Sequence, residues 1–160
     1  MFKHEFKTNK EKAWSKALSF ITYRQRSKKE TKEYLLQKNF SVEVVEEVVE
    51  KLSFYGFLND EIFVQEWAEY SLKRGRGLQR IKQELWEKGI EKDIIENVLD
   101  NSEEFTFEKE YERASQVIKK YLPEDYSKND RNLIRKSINH LKRRGFSHEI
   151  VYEIIKVYFD

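Results

Sequence analysis

The sequence of 160 residues contains no cysteine, which excludes disulfides, thiolate metal sites and cysteine nucleophiles. Proline occurs once and glycine five times, so turn-forming residues are scarce and a compact α/β enzyme is disfavoured. No stretch approaches the roughly 18 uncharged apolar residues of a membrane span, and the first residues lack the apolar core of a signal peptide. We therefore expect a soluble, cytoplasmic protein.

Motifs of catalysis and metal binding are also missing. The sequence has no G-x-x-x-x-G-K loop, and the segment RGRG at 74–77 lies between two predicted helices rather than after a strand. The three histidines, His4, His140 and His148, lack the spacing of metal ligands. We predict that the chain is not an enzyme and uses neither a metal nor a cofactor.

The apolar positions that are present have helical spacing. Ala13, Ala17, Phe20 and Ile21 predict a first helix. The pair Ser27 and Glu30 has the spacing of a capping box and predicts the start of a second helix. The segment 42–52 is rich in valine, which favours a strand, but its valines follow a helical stripe with glutamates between them. We therefore predict a third helix there.

The same sequence pattern recurs three times along the chain. Leu35 corresponds to Leu85 and Leu141, at offsets of 50 and 56 residues, and each is followed by a pair of hydrophobic doublets. Asn39, Gly89 and Gly145 occupy one equivalent position, where each second helix is expected to end in a residue with positive φ. We predict an all-α fold of three tandem three-helix repeats that form an elongated, curved array. The predicted boundaries are a tail over residues 1–12 and repeats over residues 13–55, 56–103 and 104–160. Tyr55, Phe57 and Leu58 are expected to pack between repeats.

Charge is distributed by helix, although the whole chain carries only +2. Residues 1–38 carry +7, residues 41–69 carry −7, residues 70–90 carry +4, residues 91–112 carry −7 and residues 113–160 carry +5. If the repeats stack in register, the basic helices line one side of the molecule, which suits a polyanion or a protein with complementary charge. The cations predicted to bind a partner or DNA are Arg24, Lys28, Lys29, Arg74, Arg76, Arg80, Lys82, Arg131, Arg135, Arg143 and Arg144.

Trp86 is a further candidate for an interface. It replaces the Leu36 and Lys142 of the neighbouring repeats and lies among basic residues, as an aromatic anchor of a partner would. Charge reversal of Arg76, Arg80 and Lys82 is expected to weaken partner binding without unfolding the protein.

The chain resembles the RecX family of recombination regulators over about residues 13–158. The resemblance rests on Arg24-Gln25-Arg26-Ser27 in the first repeat, on YGFLNDEIF at 55–63, RGRG at 74–77 and IKQEL at 81–85 in the second, and on residues 141–146 in the third. It implies a non-enzymatic protein that lies along the groove of the RecA filament on single-stranded DNA. Such a protein modulates, and typically inhibits, the ATPase and strand-exchange activities of RecA in recombination, DNA repair and the SOS response. We expect it to be a monomer that binds bare DNA weakly.

Two other hypotheses remain open at this point. A three-helix unit with a basic second helix also resembles helix-turn-helix elements, so a DNA-binding module that acts without RecA is the alternative. The turn and hydrophobic doublets also resemble ubiquitin-associated domains, which bind one protein partner through an exposed apolar patch. In that case one repeat would bind as well as three.

Overall fold

A computed structural model describes residues 8–160. Within this range the chain forms nine α-helices and a 3₁₀ turn, Glu103–Phe105, and it contains no strand. The predicted all-α class is therefore confirmed. The helices are α1 Asn9–Thr22, α2 Lys28–Gln37, α3 Val42–Phe54, α4 Asp60–Lys73, α5 Leu78–Glu87, α6 Lys92–Asp100, α7 Phe107–Tyr121, α8 Arg131–Arg144 and α9 His148–Phe159.

Three separate hydrophobic cores divide the helices into repeat 1 (α1–α3), repeat 2 (α4–α6) and repeat 3 (α7–α9). Leu35, Leu85 and Leu141, which the sequence aligns, are fully buried, one in each core. The domain boundaries within the connecting segments, at residues 55–56 and 103–104, stay predictions.

Local capping explains where the first helices start. The predicted capping box of α2 is confirmed: the Glu30 amide donates to Ser27 Oγ at 3.0 Å, and the Ser27 amide donates to the Glu30 carboxylate at 2.9 Å. A second capping box, of Thr8 and Glu11, starts α1 at Asn9, four residues before Ala13. Residues 1–7 of the predicted tail, with His4, lie outside the described residues.

The valine-rich segment 42–54 is helical, as predicted from its spacing. Val45, Val48, Val49 and Leu52 are buried on one side of α3, and the glutamates between them are exposed. Burial of a continuous apolar stripe thus outweighs the strand preference of valine.

The connection from repeat 1 to repeat 2 packs differently from our expectation. Tyr55 and Phe57, which we assigned to packing between repeats, lie edge-on against Trp14 of α1, with ring centroids 6.3 and 6.2 Å apart. Leu58 is buried in the core of repeat 1. The reason is a tight turn at Gly56, after which the Phe57 amide donates to the Leu52 carbonyl at 2.9 Å and holds the connection on its own repeat.

Repeat 3 differs from repeat 2 by an insertion. The first helices α4 and α7 align at an offset of 50 residues, but the second helices α5 and α8 align at 56. The six additional residues lengthen the α7–α8 connection and the start of α8. Tyr126 in this connection donates from its hydroxyl to the Tyr158 carbonyl at 2.8 Å, which ties the insertion to α9.

Candidate functional site: the row of second helices

The first joint connects repeat 1 to repeat 2 through the N-terminus of α2 and the C-terminus of α5. The Ser27 hydroxyl donates to the Lys88 carbonyl at 3.0 Å. The Lys28 amide, at the first position of α2, donates to the carboxylate of Asp60 in the first turn of α4 at 3.1 Å. The joint therefore pairs amide donors at the start of one helix with acceptors that the next repeat supplies.

The second joint, between repeats 2 and 3, repeats this geometry. The Gly77 amide donates to the Arg144 carbonyl at 2.7 Å, and the Gln79 amide donates to the Gly145 carbonyl at 3.1 Å. The Leu78 amide, equivalent to that of Lys28, donates to the carboxylate of Glu110 in α7 at 3.1 Å. The repeats thus stack in register, and the same two contacts hold both pairs of neighbours.

These joints place the second helices α8, α5 and α2 end to end, an arrangement that we call the second-helix row. The C-terminus of each helix in the row meets the N-terminus of the next, so the negative dipole end of one helix lies beside the positive end of its neighbour. The row carries a net charge of +7, of which α8 contributes +6 and α2 contributes +1, whereas the charges of α5 cancel.

The two carboxylates of the joints are buried, with Asp60 8% and Glu110 4% exposed. Burial raises the pKa of both groups, against the opposing effect of the hydrogen bonds that they accept. Sequence reasoning missed both residues. The sequence feature that could have revealed them is an acidic residue in the first turn of both α4 and α7, 50 residues apart. The equivalent residue of repeat 1 is Lys10, which pairs with Glu47 of its own repeat.

Some of the predicted cations serve internal contacts. Arg76 is 15% exposed in its side chain and pairs with Glu84 at 2.9 Å, and Arg80 pairs with the same carboxylate at 2.8 Å. Trp67 also donates to Glu84 from its indole nitrogen at 3.2 Å. Arg144 donates to the Arg74 carbonyl at 2.6 Å across the second joint. These arginines therefore make stabilising contacts within the chain itself.

Two further predicted cations have ion-pair partners on the surface. Arg24 pairs with Glu30, and Lys82 pairs with Asp100, each at 2.8 Å. Arg74 is exposed and its guanidinium lies over the Tyr70 ring at 4.5 Å.

Five of the predicted cations lie exposed on the row and define what we call the outer cations. Lys29 lies 3.9 Å from Glu33, and Arg135 contacts Asn132. The side chains of the other three make no ion pair within residues 8–160. The outer cations are Lys28, Lys29, Arg131, Arg135 and Arg143.

Trp86 is 67% exposed on α5, so the row carries a large aromatic side chain in contact with solvent. The third helix of repeat 1 has the opposite charge, with Glu43, Glu46, Glu47 and Glu50 exposed. The molecule therefore offers a basic row with one exposed indole and a separate acidic helix.

The described residues provide no alternative site of a familiar chemical type. Among residues 8–160, no three histidine, aspartate or glutamate side chains come together as metal ligands would. His140 stacks on the Tyr121 ring at 4.1 Å, and His148 is exposed at the start of α9. No helix in this range is long and apolar enough to cross a membrane.

Comparison with known proteins relates each repeat to a described domain. Family models for the first, second and third three-helix domains of RecX match residues 13–52, 59–99 and 108–155, respectively. The regulatory protein RecX of Bacillus subtilis (strain 168) is 33% identical over 141 residues, which cover 88% of this chain and 52% of that protein. The chain spans about half the length of the curated relatives it matches.

Solved structures share the fold. The crystal structure of RecX from Lactobacillus salivarius superposes with a TM-score of 0.77 at 24% identity, and the match covers 94% of this chain and 96% of that one. A second crystal structure, of a regulatory protein RecX, gives a TM-score of 0.79 at 26% identity over 93% of this chain and 73% of that one. The order and packing of the nine helices are therefore those of known proteins.

Proposed function

Because this chain belongs to the RecX family, we propose that it is a regulatory protein that binds the RecA filament on single-stranded DNA and inhibits its ATPase and strand-exchange activities. In this proposal the chain acts by binding rather than by catalysis.

The observation that supports this proposal is the second-helix row. Its helices contain 10, 10 and 14 residues, and at about 1.5 Å per residue they extend for roughly 50 Å when placed end to end. The outer cations recur along this row: Arg131 and Arg135 lie on the first half of α8, Arg143 lies beside the second joint, and Lys28 and Lys29 lie beside the first joint. A long surface with charges at intervals suits a polymer that repeats its own charges, such as a protein filament on DNA.

The acidic face of α3 gives the proposal a second contact surface. A filament offers basic protein elements as well as DNA phosphates, and a molecule with separate acidic and basic surfaces complements both. Complementary charge fixes the orientation of such a complex, because a reversed molecule brings like charges together.

The helix-turn-helix alternative is disfavoured by the joints. A recognition helix contacts base edges with its N-terminal residues, which must reach into the major groove. The backbone amides at the starts of α2 and α5 are bonded to the following repeat, and Ser27 and Gly77 are buried there, so these two helices cannot insert their N-termini into a groove. Of the row, α8 alone begins at an exposed N-terminus. The exposed face of α3 is acidic and repels phosphates.

A titration of the chain into RecA on single-stranded DNA tests the proposal. We expect the rate of ATP hydrolysis to fall with increasing concentration, and the chain to sediment with the filaments. An unchanged rate, together with absence of the chain from the pelleted filaments, would refute the proposed function. A salt titration on bare duplex DNA distinguishes RecA regulation from the helix-turn-helix alternative. That alternative requires strong binding with a steep salt dependence in the absence of RecA.

A further inference from the structure

A basic cleft lies beside the second joint, where the C-terminal ends of α4 and α8 meet the second half of α7. Its volume is about 350 Å³. Six basic side chains line it, and no carboxylate does. They are Lys73, Arg74, Arg113, Lys120, His140 and Arg144.

The positive charge of this cleft is mostly uncompensated. Arg113 pairs with Glu110 at 3.0 Å, but Lys73 and Lys120 have no ion-pair or hydrogen-bond partner within residues 8–160. Arg144 is held in place by its bond to the Arg74 carbonyl, so its charge has a fixed position. Like charges that are gathered in a concave surface attract an anion more strongly than the same charges on a convex one.

The titration of His140 agrees with this charge distribution. Its pKa lies below the ordinary value, first because the imidazole is partly buried, and also because Arg144 and Arg143 disfavour a further positive charge beside them. Tyr121 faces the same imidazole from α7, with an angle of 14° between the two rings.

The cleft also has an aromatic wall. It consists of Tyr121 and His140, whose half-buried rings stack on each other and which both line the cleft. Gly75 allows the end of α4 to approach this region, because a Cβ at its position would lie 3.0 Å from Val117 and 3.7 Å from the Arg144 guanidinium.

We propose that this cleft binds the sugar-phosphate backbone of single-stranded DNA, with Lys73, Lys120 and Arg144 as its phosphate contacts. The inference rests on the proposed function and deepens it by assigning a direct DNA contact to repeats 2 and 3. Closely spaced cations match a polymer with one charge per nucleotide, and the aromatic wall suits its bases. An acidic protein segment needs the cations but gains nothing from the aromatic wall.

Binding of a fluorescent oligothymidylate to the full chain, without RecA, tests the assignment by anisotropy between about 20 and 200 mM salt. The variant Lys73→Gln/Lys120→Gln removes two cations that make no internal contact. Lys12→Gln/Lys16→Gln is the matched control, since it removes the same charge from the exposed side of α1 in repeat 1. Circular dichroism establishes that both variants are folded.

We expect the cleft variant to bind about five- to tenfold more weakly at low salt and to reduce the salt slope by about 1.4, whereas the control stays within about twofold of the wild type. Oligothymidylate binding is also expected to raise the pKa of His140 in NMR titrations, because a phosphate in the cleft favours the positively charged imidazolium.

Three results would overturn the assignment. The first is an absence of oligothymidylate binding at low salt, and the second is an equal loss of affinity in both double variants. The third is binding of a polyglutamate peptide that is tighter than that of oligothymidylate and depends equally on Lys73 and Lys120, which would identify an acidic protein partner. Because RecA is absent from this assay, failure of the cleft is distinguishable from failure of RecA regulation, which the ATPase titration measures.

Discussion

At the scale of single residues, the equivalent positions Asn39, Gly89 and Gly145 all have positive φ, as the sequence predicts. Gly145 carries a second constraint, because it lies in the second joint. A Cβ there would overlap the backbone of Arg80 in the neighbouring repeat, whereas a Cβ at Gly56 would meet nothing within 4 Å. The repeated glycine position thus serves both helix termination and contact between repeats, and sequence periodicity reveals only the first role.

Gly145→Ala is therefore expected to destabilise the protein more than Gly56→Ala. Both variants place a side chain at positive φ, which costs about 1 kcal/mol, and Gly145→Ala adds overpacking of roughly 1–3 kcal/mol against Arg80. Urea denaturation measures the free energy of unfolding of both variants. Equal losses would show that the close approach at the second joint has no energetic consequence.

Glu110 gives the stability a defined pH dependence. Burial raises the pKa of Glu110 in the folded state. The Glu110 carboxyl group therefore holds its proton more tightly in the folded protein than in the unfolded chain. The contribution of Glu110 to the free energy of unfolding therefore declines as pH rises from about 4.3, its value in the unfolded chain, through the raised pKa. Glu110→Gln keeps an acceptor for the Leu78 amide and removes this decline.

Urea denaturation between pH 4 and 7 checks this expectation. The unfolding free energy of the wild type minus that of Glu110→Gln should fall with rising pH. Glu108→Gln, an exposed position on the same helix, is the control for the loss of one charge. A difference that stays constant or grows with pH would contradict the role of burial.

Arg76 shows where sequence reasoning about charge needs the structure. The sequence places it among the binding cations and expects its reversal to leave the fold intact, but its side chain is mostly buried against Glu84 and Trp67. Arg76→Glu brings two carboxylates together there and is expected to cost at least about 2 kcal/mol of stability. Arg131→Glu, on the exposed start of α8, should change stability by no more than about 0.5 kcal/mol. Thermal and urea denaturation measure the stability of both variants. Equal stability would show that Arg76 behaves as an exposed surface cation with no structural role.

At the scale of helices, most of the architecture could be predicted because it depends on local signals. The Ser27–Glu30 capping box, the helical spacing of the valines in α3 and the residues with positive φ each act within a few positions of the chain. The joints could not be predicted in this way. They pair Lys28 with Asp60 and Leu78 with Glu110, each across 32 residues, and they depend on how whole repeats pack.

The two joints are expected to behave as separate energetic units. Ser27→Ala and Asp60→Asn both act at the first joint, so their effects on the unfolding free energy should couple by at least about 0.5 kcal/mol. Asp60→Asn and Glu110→Gln act at different joints and should add within about 0.5 kcal/mol. Double-mutant cycles measured by urea denaturation test this difference. The repeated-joint geometry would be contradicted if Asp60→Asn and Glu110→Gln coupled strongly while the effects of Ser27→Ala and Asp60→Asn simply added.

At the scale of the whole molecule, the net charge of +2 conceals an ordered surface. The alternation of basic and acidic segments, the three repeats and the family resemblance could all be obtained from the sequence. The division of the cations could not, because Arg76, Arg80 and Arg144 look like Lys28, Arg131 and Arg143 until their partners are known. The basic cleft was missed for a similar reason, since Lys73 and Lys120 come from different repeats.

The central claim is that the basic surface of the second-helix row binds RecA filaments, and co-sedimentation with RecA on single-stranded DNA tests it most directly. The variant Lys28→Glu/Arg143→Glu reverses one outer cation on α2 and one on α8, and Lys12→Glu/Lys16→Glu reverses two exposed cations of α1. We predict that the wild type and the α1 variant sediment with the filaments, and that the row variant needs at least about tenfold more protein for the same bound fraction. Equal sedimentation of all three folded proteins, or of none, would contradict the account.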